Sequence, residues 1–325
     1  MNRREFIIAL CGTAVWPLAA RAQQPTPLIG YLGAETPGAF ATRVKAFRAG
    51  LSEGGFVEGR NVAIDFLWAE GQHNKLPALA AELVARSATV IVAPGGAPAA
   101  IAAKSVTKNI PIVFEMGADP VGIGLVETLQ RPGANLTGVS SLNVQVTPKR
   151  LELLREAIPA AALIAVVVNP TSPTTSFQLK KLQEAADTLG TKIQVLNVAS
   201  VRDIEIISET LTELKPGGVV FASDGFFATH SEQLAALTVA QKLPAIHQSR
   251  DFAVAGGLMS YAGSFLESHR QAGIQTARIL TGSNPAELPV QQVTKVELII
   301  NLRTAKSLGV GVPLTLLGRA DEVIE

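Results

Sequence analysis

The stretch TVIVAPGGAPAAIAAKSVTKNIPIVFEMGADP, residues 89–120, holds two apolar runs separated by a Gly-Gly turn and an alanine-rich segment. Residues 89–93 and 110–114 are apolar without alternation, which is typical of strands covered on both faces. The turn at Gly95-Gly96 precedes a helix that begins near Ala97. A strand, a helix and a second strand joined by short connections predict a parallel sheet with helices on both sides.

The same order of strand and helix recurs before and after this stretch. Residues 28–32 and 62–67 are further strands, and residues 76–84 carry apolar side chains at the spacing of a core-facing helix. The pattern begins again at Thr147-Pro148 and continues with strands at residues 164–168, 193–198 and 219–222. The sequence therefore predicts an α/β fold with two doubly wound parallel-sheet lobes.

Two short patterns in the second half predict helix starts. Ser200-x-x-Asp203 and Thr229-x-x-Glu232 have the spacing of a capping box, in which side-chain oxygens accept bonds from free N–H groups of the first turn. We therefore expect helices to begin after Ser200 and after Thr229.

The N-terminus, MNRREFIIALCGTAVWPLAARAQQP, has the three parts of an export signal. Arg3-Arg4 forms the charged part, residues 6–20 the apolar part, and Ala20-Arg21-Ala22 the cleavage site. About fifteen apolar residues, interrupted by Pro17, are too few for a membrane anchor, which needs about 20. We therefore expect a signal peptide over residues 1–22, cleaved near Ala22. It directs the chain to the periplasm by the twin-arginine or the general secretory route.

Charge and composition exclude several classes of protein. Without residues 1–22, which hold three of the 28 basic and one of the 27 acidic residues, the chain has a net charge near −1. Nucleic-acid binders have a basic surface, so we expect no nucleic-acid partner. The only cysteine is Cys11, within the signal, which excludes a disulfide scaffold and a thiolate metal site. The four histidines are scattered, and we expect neither a metal nor a cofactor.

The sequence lacks the motifs of common enzyme classes. It has no G-x-G-x-x-G after a strand, no G-x-x-x-x-G-K-[ST] and no G-x-S-x-G, so dinucleotide, nucleoside triphosphate and hydrolase sites have no support. Ser105-x-x-Lys108 matches S-x-x-K but lacks the companion motifs of that class. We therefore expect a protein that is not an enzyme.

The candidate ligand-binding residues lie where parallel strands end. In open parallel sheets, ligands bind outside the carboxyl ends of the strands. Gly96 and Ala97 could present free backbone N–H groups to a ligand carboxylate, and Asp224 could pair with an ammonium group. Phe226 or Tyr261 could stack on an apolar part of the ligand. Further candidates at strand ends are Gly33, Asp119 and Asn169.

Each of these residues also has a purely structural explanation. Glycines often serve only the turn in which they lie. Asp119 and Asp224 could cap helices, and Phe226 could lie in the core. The sequence leaves these alternatives open.

Several segments carry a resemblance to a known family. They are Arg43-Val-Lys-Ala-Phe-Arg-Ala-Gly-Leu, Gly55-Phe-Val-Glu-Gly-Arg-Asn-Val, Asp119-Pro-Val, Arg131-Pro-Gly-Ala-Asn-Leu-Thr-Gly-Val-Ser, Ala255-Gly-Gly-Leu-Met-Ser-Tyr, Asn301-Leu-Arg-Thr-Ala-Lys-Ser-Leu-Gly and Arg319-Ala-Asp-Glu-Val-Ile-Glu. With them the sequence resembles the periplasmic substrate-binding proteins of ABC importers. The resemblance is to the group with a type I periplasmic-binding fold that includes tryptophan and aromatic amino-acid binders. It covers essentially the whole chain after the signal.

The resemblance implies two lobes joined by a hinge of three chain crossings, with a ligand cleft between them. The crossings are expected near residues 140–141, near residues 260–261 and around Pro289. Lobe one is then residues 27–140 plus 262–289, and lobe two is residues 141–261 plus 290–325. By the same resemblance, the ligand site includes Gly96, Ala97, Asp119, Ser140, Asn169, Asp224 and Tyr261.

The resemblance also implies a function. The protein would be a monomeric periplasmic component of an ABC importer that captures a small molecule and delivers it to permease subunits in the inner membrane. An amino acid or related small carboxylate suits the anion-binding helix end and the acidic partner. A sugar is less favoured, because after the signal only one tryptophan, Trp68, remains to stack on a sugar ring. The alternatives are a periplasmic ligand sensor that docks on a membrane receptor and an exported α/β enzyme.

Overall fold

The computed structural model describes residues 26–325, so the predicted signal peptide lies outside the described residues. A first sheet has six strands: β1 (Leu28–Gly33), β2 (Ala63–Trp68), β3 (Val90–Ala93), β4 (Ile112–Met116), β5 (Leu136–Ser140) and β11 (Gln291–Gln292). Across the sheet they follow the order β11-β5-β4-β3-β1-β2, and all neighbouring strands are parallel.

A second sheet has seven strands: β6 (Leu163–Val168), β7 (Lys192–Asn197), β8 (Gly218–Phe221), β9 (Ala245–His247), β10 (Met259–Gly263), β12 (Val296–Asn301) and β13 (Glu322–Ile324). Their spatial order is β13-β12-β10-β9-β8-β6-β7. β10 and β12 are antiparallel, and the other neighbouring pairs are parallel.

Helices cover both faces of each sheet. The first sheet packs against α1 (Pro37–Glu53), α2 (Leu76–Ala85), α3 (Ala97–Val106) and α10 (Phe265–Leu280). The second belongs with α4 (Thr147–Ala157), α5 (Thr175–Thr188), α6 (Val201–Leu214), α7 (Gly225–Thr229), α8 (Ser231–Ala240), α9 (Arg250–Val254), α11 (Leu302–Leu308) and α12 (Leu314–Leu317). Each sheet thus has two apolar clusters, one on either face. The predicted α/β fold of two doubly wound lobes is confirmed.

The chain passes between the sheets three times, after β5, after β10 and after β11. β10 continues to Gly263, so residues 262–263 lie in the second sheet rather than in lobe one as the sequence predicted. Gln291 and Gln292 pair with Val139 and Ser140, so these two residues lie in the first sheet rather than in lobe two. The second and third crossings therefore lie a few residues later than expected, because both strands continue past the predicted boundary.

α10 returns the chain to the first lobe and packs tightly on α1. A Cβ atom on Gly50 of α1 would lie 1.8 Å from the carbonyl oxygen of Arg270, and one on Gly273 of α10 would lie 2.1 Å from the carbonyl oxygen of Phe47. The two backbones can approach this closely because both positions lack a side chain.

The two predicted helix starts differ in outcome. The capping box at α6 is confirmed: the Ser200 hydroxyl accepts from the Asp203 N–H, and the Asp203 carboxylate accepts from the Ser200 N–H. The prediction for Thr229 is wrong, because α8 begins at Ser231 without a side-chain cap. The Thr229 hydroxyl instead donates to Glu35, in the other lobe.

Candidate functional site

A cavity lies between the two lobes, at the carboxyl ends of strands from both sheets. The first lobe lines it with Gly96 after β3 and Glu115 at the end of β4, and the second lobe lines it with Ser223 and Asp224 after β8. The space open to the centre of a water molecule is about 60 Å³. Because one water needs about 15 Å³, the cavity has room for about four. The space enclosed between the lobes is therefore small.

Asp224 is the acidic group that the second lobe presents to this cavity. Its Oδ1 accepts from the Phe226 N–H at 3.0 Å and from the Asn169 amide at 2.9 Å. The Asn169 oxygen in turn accepts from the Thr171 N–H and hydroxyl, which turns the amide nitrogen toward Asp224. Burial raises the pKa of the Asp224 carboxyl, and the bond from Asn169 opposes that rise. The arrangement suits a cationic partner.

Arg43 is the basic group that the first lobe presents. It lies on α1 beside the buried Val44 and is only 5 % exposed. Its guanidinium carbon lies 4.5 Å from the ring centre of Phe40 and 4.3 Å from that of Phe265. Among residues 26–325, no group forms a hydrogen bond or an ion pair with it. A guanidinium carries five N–H donors, so Arg43 can bind an anion.

Glu35 connects the lobes beside the cavity. It follows β1, is fully buried, and its Oε2 accepts from the Thr229 hydroxyl at 2.5 Å. A Cβ atom on Gly225 would lie 2.2 Å from Oε1, so the second lobe closes directly on this carboxyl. Burial raises the pKa of Glu35 from its ordinary 4.5 to about 7, and the nearby Asp224 adds to the rise. Glu35 is therefore a buried carboxyl with a raised pKa at the contact between the lobes.

Glu115 is the second acidic side chain on the first-lobe wall, and it already has partners. Its Oε1 accepts from the Ser268 hydroxyl at 2.8 Å, and its Oε2 lies 3.8 Å from His269 Nε2. Burial lowers the pKa of His269, while Glu115 opposes that change. Glu115 is thus held by α10 and is less available to a ligand than Asp224.

A buried arginine holds the second-lobe side of the cavity in place. Arg150 on α4 is fully buried and donates to the Tyr261 carbonyl at 2.7 Å, the Ser223 hydroxyl at 2.9 Å, the Asn143 carbonyl at 3.0 Å and the Thr147 hydroxyl at 3.1 Å. Burial lowers its pKa to about 9. Its bonds join β10, the first crossing and the loop that carries Asp224.

Gln178 holds the same loop from α5. Its Oε1 accepts from the Ser223 N–H at 2.7 Å, and its Nε2 donates to the Ser223 carbonyl at 2.9 Å. Paired bonds of this kind fix both the position and the orientation of a loop. The backbone before Asp224 is therefore rigidly placed.

The structure brings some of the predicted ligand residues together and leaves others apart. Gly96, Ala97 and Asp224 line the cavity, and Asn169 contacts Asp224 from behind. The other five do not line this cavity: Gly33, Asp119, Ser140, Phe226 and Tyr261.

Each of these five has a structural role in this structure. Gly33 leaves space for the Trp68 ring, which a Cβ would meet at 2.1 Å. Asp119 caps its own turn by accepting from the Val121 N–H. The Ser140 hydroxyl donates to the Ala118 carbonyl. Phe226 lies in the second-lobe core, and Tyr261 packs there while its carbonyl accepts from Arg150.

The sequence-based candidates omit Arg43 and Glu35, although a signal for each exists. Arg43 lies on the apolar face of α1, where an unpaired charge is unusual. Glu35 follows β1 at the sheet edge where ligands bind.

Within residues 26–325, no helix is long and apolar enough to cross a membrane. In the same part of the chain, no group of three His, Cys, Asp or Glu residues could hold a metal.

Comparison with known proteins gives a family and several relatives. A family model described as ABC transporter substrate binding protein matches residues 35–324. The chain is 27 % identical over 266 residues to the Tyrosine-binding protein of Clostridioides difficile strain R20291, which covers 81 % of this chain and 75 % of that protein.

Two solved structures show the fold at similar identity. The first is an ABC domain in complex with L-Trp from Streptococcus pneumonia, with TM-score 0.83, 26 % identity and coverage of 92 % of this chain and all of that one. The second is the ligand-free, open structure of a substrate binding protein with adhesive properties from Clostridium difficile. Its TM-score is 0.65 at 26 % identity, with coverage of 92 % of this chain and 99 % of that one.

Proposed function

Since the chain belongs to the family of ABC transporter substrate binding proteins, we propose that it captures an amino acid between its lobes and delivers it to a membrane permease. The observation that carries the choice of ligand is that each lobe contributes one charged side chain without an ion-pair partner in the part of the chain that the structure describes, and that these two charges are opposite. Asp224 comes from the second lobe and Arg43 from the first, and both line the cavity. An amino acid has one ammonium and one carboxylate group, which match these charges. A neutral sugar would leave both charges without a partner.

Lobe closure on the ligand is supported by the comparison structures. The protein matches the L-Trp complex more closely than the ligand-free, open structure, although identity and coverage of this chain are equal for the two. A rotation of one lobe against the other lowers the TM-score over the whole chain while the structure of each lobe stays the same. The contact between Glu35 and Thr229 is then a contact of the closed state.

An aromatic amino acid is our first choice of ligand. The names of two relatives, which refer to tyrosine and to L-Trp, support it. The cavity alone is small, but Arg43, Gln248 and Phe265 also line a neighbouring cavity of about 170 Å³. A ligand larger than the first cavity therefore has room to extend past Arg43.

The setting of this activity follows from the sequence. We expect export to the periplasm by the signal at residues 1–22, binding as a monomer and no catalysis. The closed, ligand-loaded form is the one that the permease subunits would recognise, because a ligand signals only if it favours one state.

Thermal unfolding of the purified protein against a panel of ligands tests this proposal. The panel contains L-tryptophan, L-tyrosine, L-phenylalanine, L-leucine and D-glucose. A ligand at a hundred times its dissociation constant adds about 2.7 kcal/mol to the free energy of unfolding. That gain raises the Tm by several degrees for a domain of this size.

We expect amino acids to raise the Tm and glucose to leave it unchanged. Mass spectrometry of the denatured protein detects an amino acid that has co-purified, which would mask the shift. A shift with glucose alone would overturn the proposal. A folded protein that is free of ligand and unaffected by every amino acid would also overturn it.

A further inference from the structure

The two buried arginines of the site differ in their bonding. Arg150 is fully buried and donates four hydrogen bonds to groups of the protein. Arg43 is almost as buried, at 5 % exposure, yet among residues 26–325 it has no hydrogen-bond or ion-pair partner. A buried charge without a partner is costly for the fold. Because Arg43 lines the cavity, its N–H donors are free to bind a group that enters from outside the chain.

The surroundings of Arg43 leave it ready for a planar anion. Rings of Phe40 and Phe265 lie 4.5 Å and 4.3 Å from its guanidinium carbon, at distances typical of cation–π contacts. These contacts fix the guanidinium without using its N–H donors. Paired N–H groups of a guanidinium match the two oxygens of a carboxylate.

The competing anion site is the loop before α3, where two backbone N–H groups already face Glu115. The Gly96 N–H donates to the Glu115 carbonyl at 3.2 Å, and the Gly95 N–H faces a carboxylate oxygen of Glu115 at 3.5 Å. A ligand carboxylate near Gly95 would also meet the negative charge of Glu115. The helix start is thus the weaker anchor, although the sequence favoured it.

We propose that Arg43 is the carboxylate anchor of the ligand and that the site therefore selects molecules with a free carboxylate. This inference rests on the proposed function and adds to it which residue recognises which end of the ligand. Arg43 binds the carboxylate from the first lobe, and Asp224 binds the ammonium from the second. A ligand that spans these two groups holds the lobes together.

Calorimetric titration with acids and their amides tests the inference. The probes are L-tryptophan, L-tyrosine, L-tryptophanamide and L-tyrosinamide, at a mildly acidic pH where all four amines are protonated. The wild-type protein is expected to bind each acid at least tenfold more tightly than its amide. Arg43→Gln is expected to lose at least tenfold in affinity for the acids and little for the amides. The ratio of the affinity for each acid to that for its amide therefore falls toward one.

Two further variants separate this role from a merely structural one. Arg48→Gln changes another arginine of α1 that lies over a ring, at 5.2 Å from Phe66, but it is half exposed and pairs with Glu58. It is expected to keep the full preference for acids. Arg43→Lys keeps the charge but not the paired donors, and it is expected to reduce the preference even if Arg43→Gln fails to fold.

The outcomes distinguish the inference from the proposed function. If the wild-type protein binds acid and amide equally, or if both Arg43 variants keep the preference for acids, Arg43 is not the anchor while the amino-acid site stands. If the wild-type protein binds neither acid nor amide, the aromatic ligand named in the proposed function falls, and the inference falls with it.

Discussion

At the scale of single residues, Asp119 and Asp224 are a matched pair. Each lies three residues after a strand and accepts from the backbone N–H two residues further on, at 3.0 Å. Only Asp224 lines the cavity. The local cap is therefore the same, whereas Asp224 in addition accepts from Asn169 and faces the cavity.

We expect Asp224→Asn to weaken the binding of L-tryptophan or L-tyrosine at least tenfold, or about 1.4 kcal/mol. The ammonium group loses its charged partner, and a buried charge left unpaired costs at least this much. Asp119→Asn is expected to bind as the wild type does. Calorimetric titration measures both, and equal losses in the two variants would remove Asp224 from the site.

We expect Glu35 to make ligand binding depend on pH. The Thr229 hydroxyl and the Asp224 carboxylate face it from the second lobe, and Arg43 faces it from α1. Burial in this structure raises its pKa to about 7, and we expect exposure in an open cleft to return the pKa toward its ordinary value of 4.5. Closure therefore takes up a proton between these values. The resulting stabilisation of the closed state is fully present below the lower value and is lost as the pH rises through about 7.

Affinity for an aromatic amino acid is expected to fall about tenfold between a pH of about 5.5 and a pH of about 7.5. Glu35→Gln, which keeps an oxygen to accept from Thr229 but cannot ionise, is expected to flatten this profile. Titrations across the range measure both. An unchanged slope in Glu35→Gln would mean that another group takes up the proton.

The sequence predicts part of the site at this scale. Gly96, Ala97 and Asp224 follow from the rule that ligands bind at the ends of parallel strands. Arg43 and Glu35 do not follow from it, because their importance depends on Phe265 and Thr229, which the fold brings from distant parts of the chain. Residues that act across the cleft have no local sequence pattern.

At the scale of elements, the contact between α1 and α10 depends on glycine. Gly50→Ala would place a Cβ 1.8 Å from the Arg270 carbonyl oxygen, so the helices would have to separate. We expect the free energy of unfolding to fall by about 2 kcal/mol. Thermal unfolding measures the change.

Gly38→Ala is the control, because it lies in the same helix and no atom is within 4 Å of its added Cβ. We expect it to leave the stability unchanged or to raise it by about 0.5 kcal/mol, since alanine is the better helix former. Equal losses in both variants would show that the close approach to the Arg270 carbonyl does not determine the effect.

Element boundaries followed from sequence where the pattern was local. The Ser200 box needs only contacts within one turn, and it formed as predicted. Thr229 has the same spacing, but its hydroxyl bonds to Glu35, which lies in another lobe. A tertiary contact outweighed the local one.

At the scale of the whole molecule, the two-lobe fold was predictable because unbroken apolar strands alternate with amphipathic helices. The position of the third chain crossing was less predictable from the sequence. β11 has only two residues, too few to show any pattern, and its place beside β5 is visible only in the sheet. The hinge therefore lies partly in a segment that carries no sequence signal.

We propose that the lobes close on an amino acid, and small-angle X-ray scattering measures such a closure. We predict that the ligand-free protein has a larger radius of gyration than this closed structure. Saturating L-tryptophan or L-tyrosine should reduce that radius to the value calculated from the structure. A scattering profile that stays the same while calorimetry shows the amino acid to be bound would contradict the account.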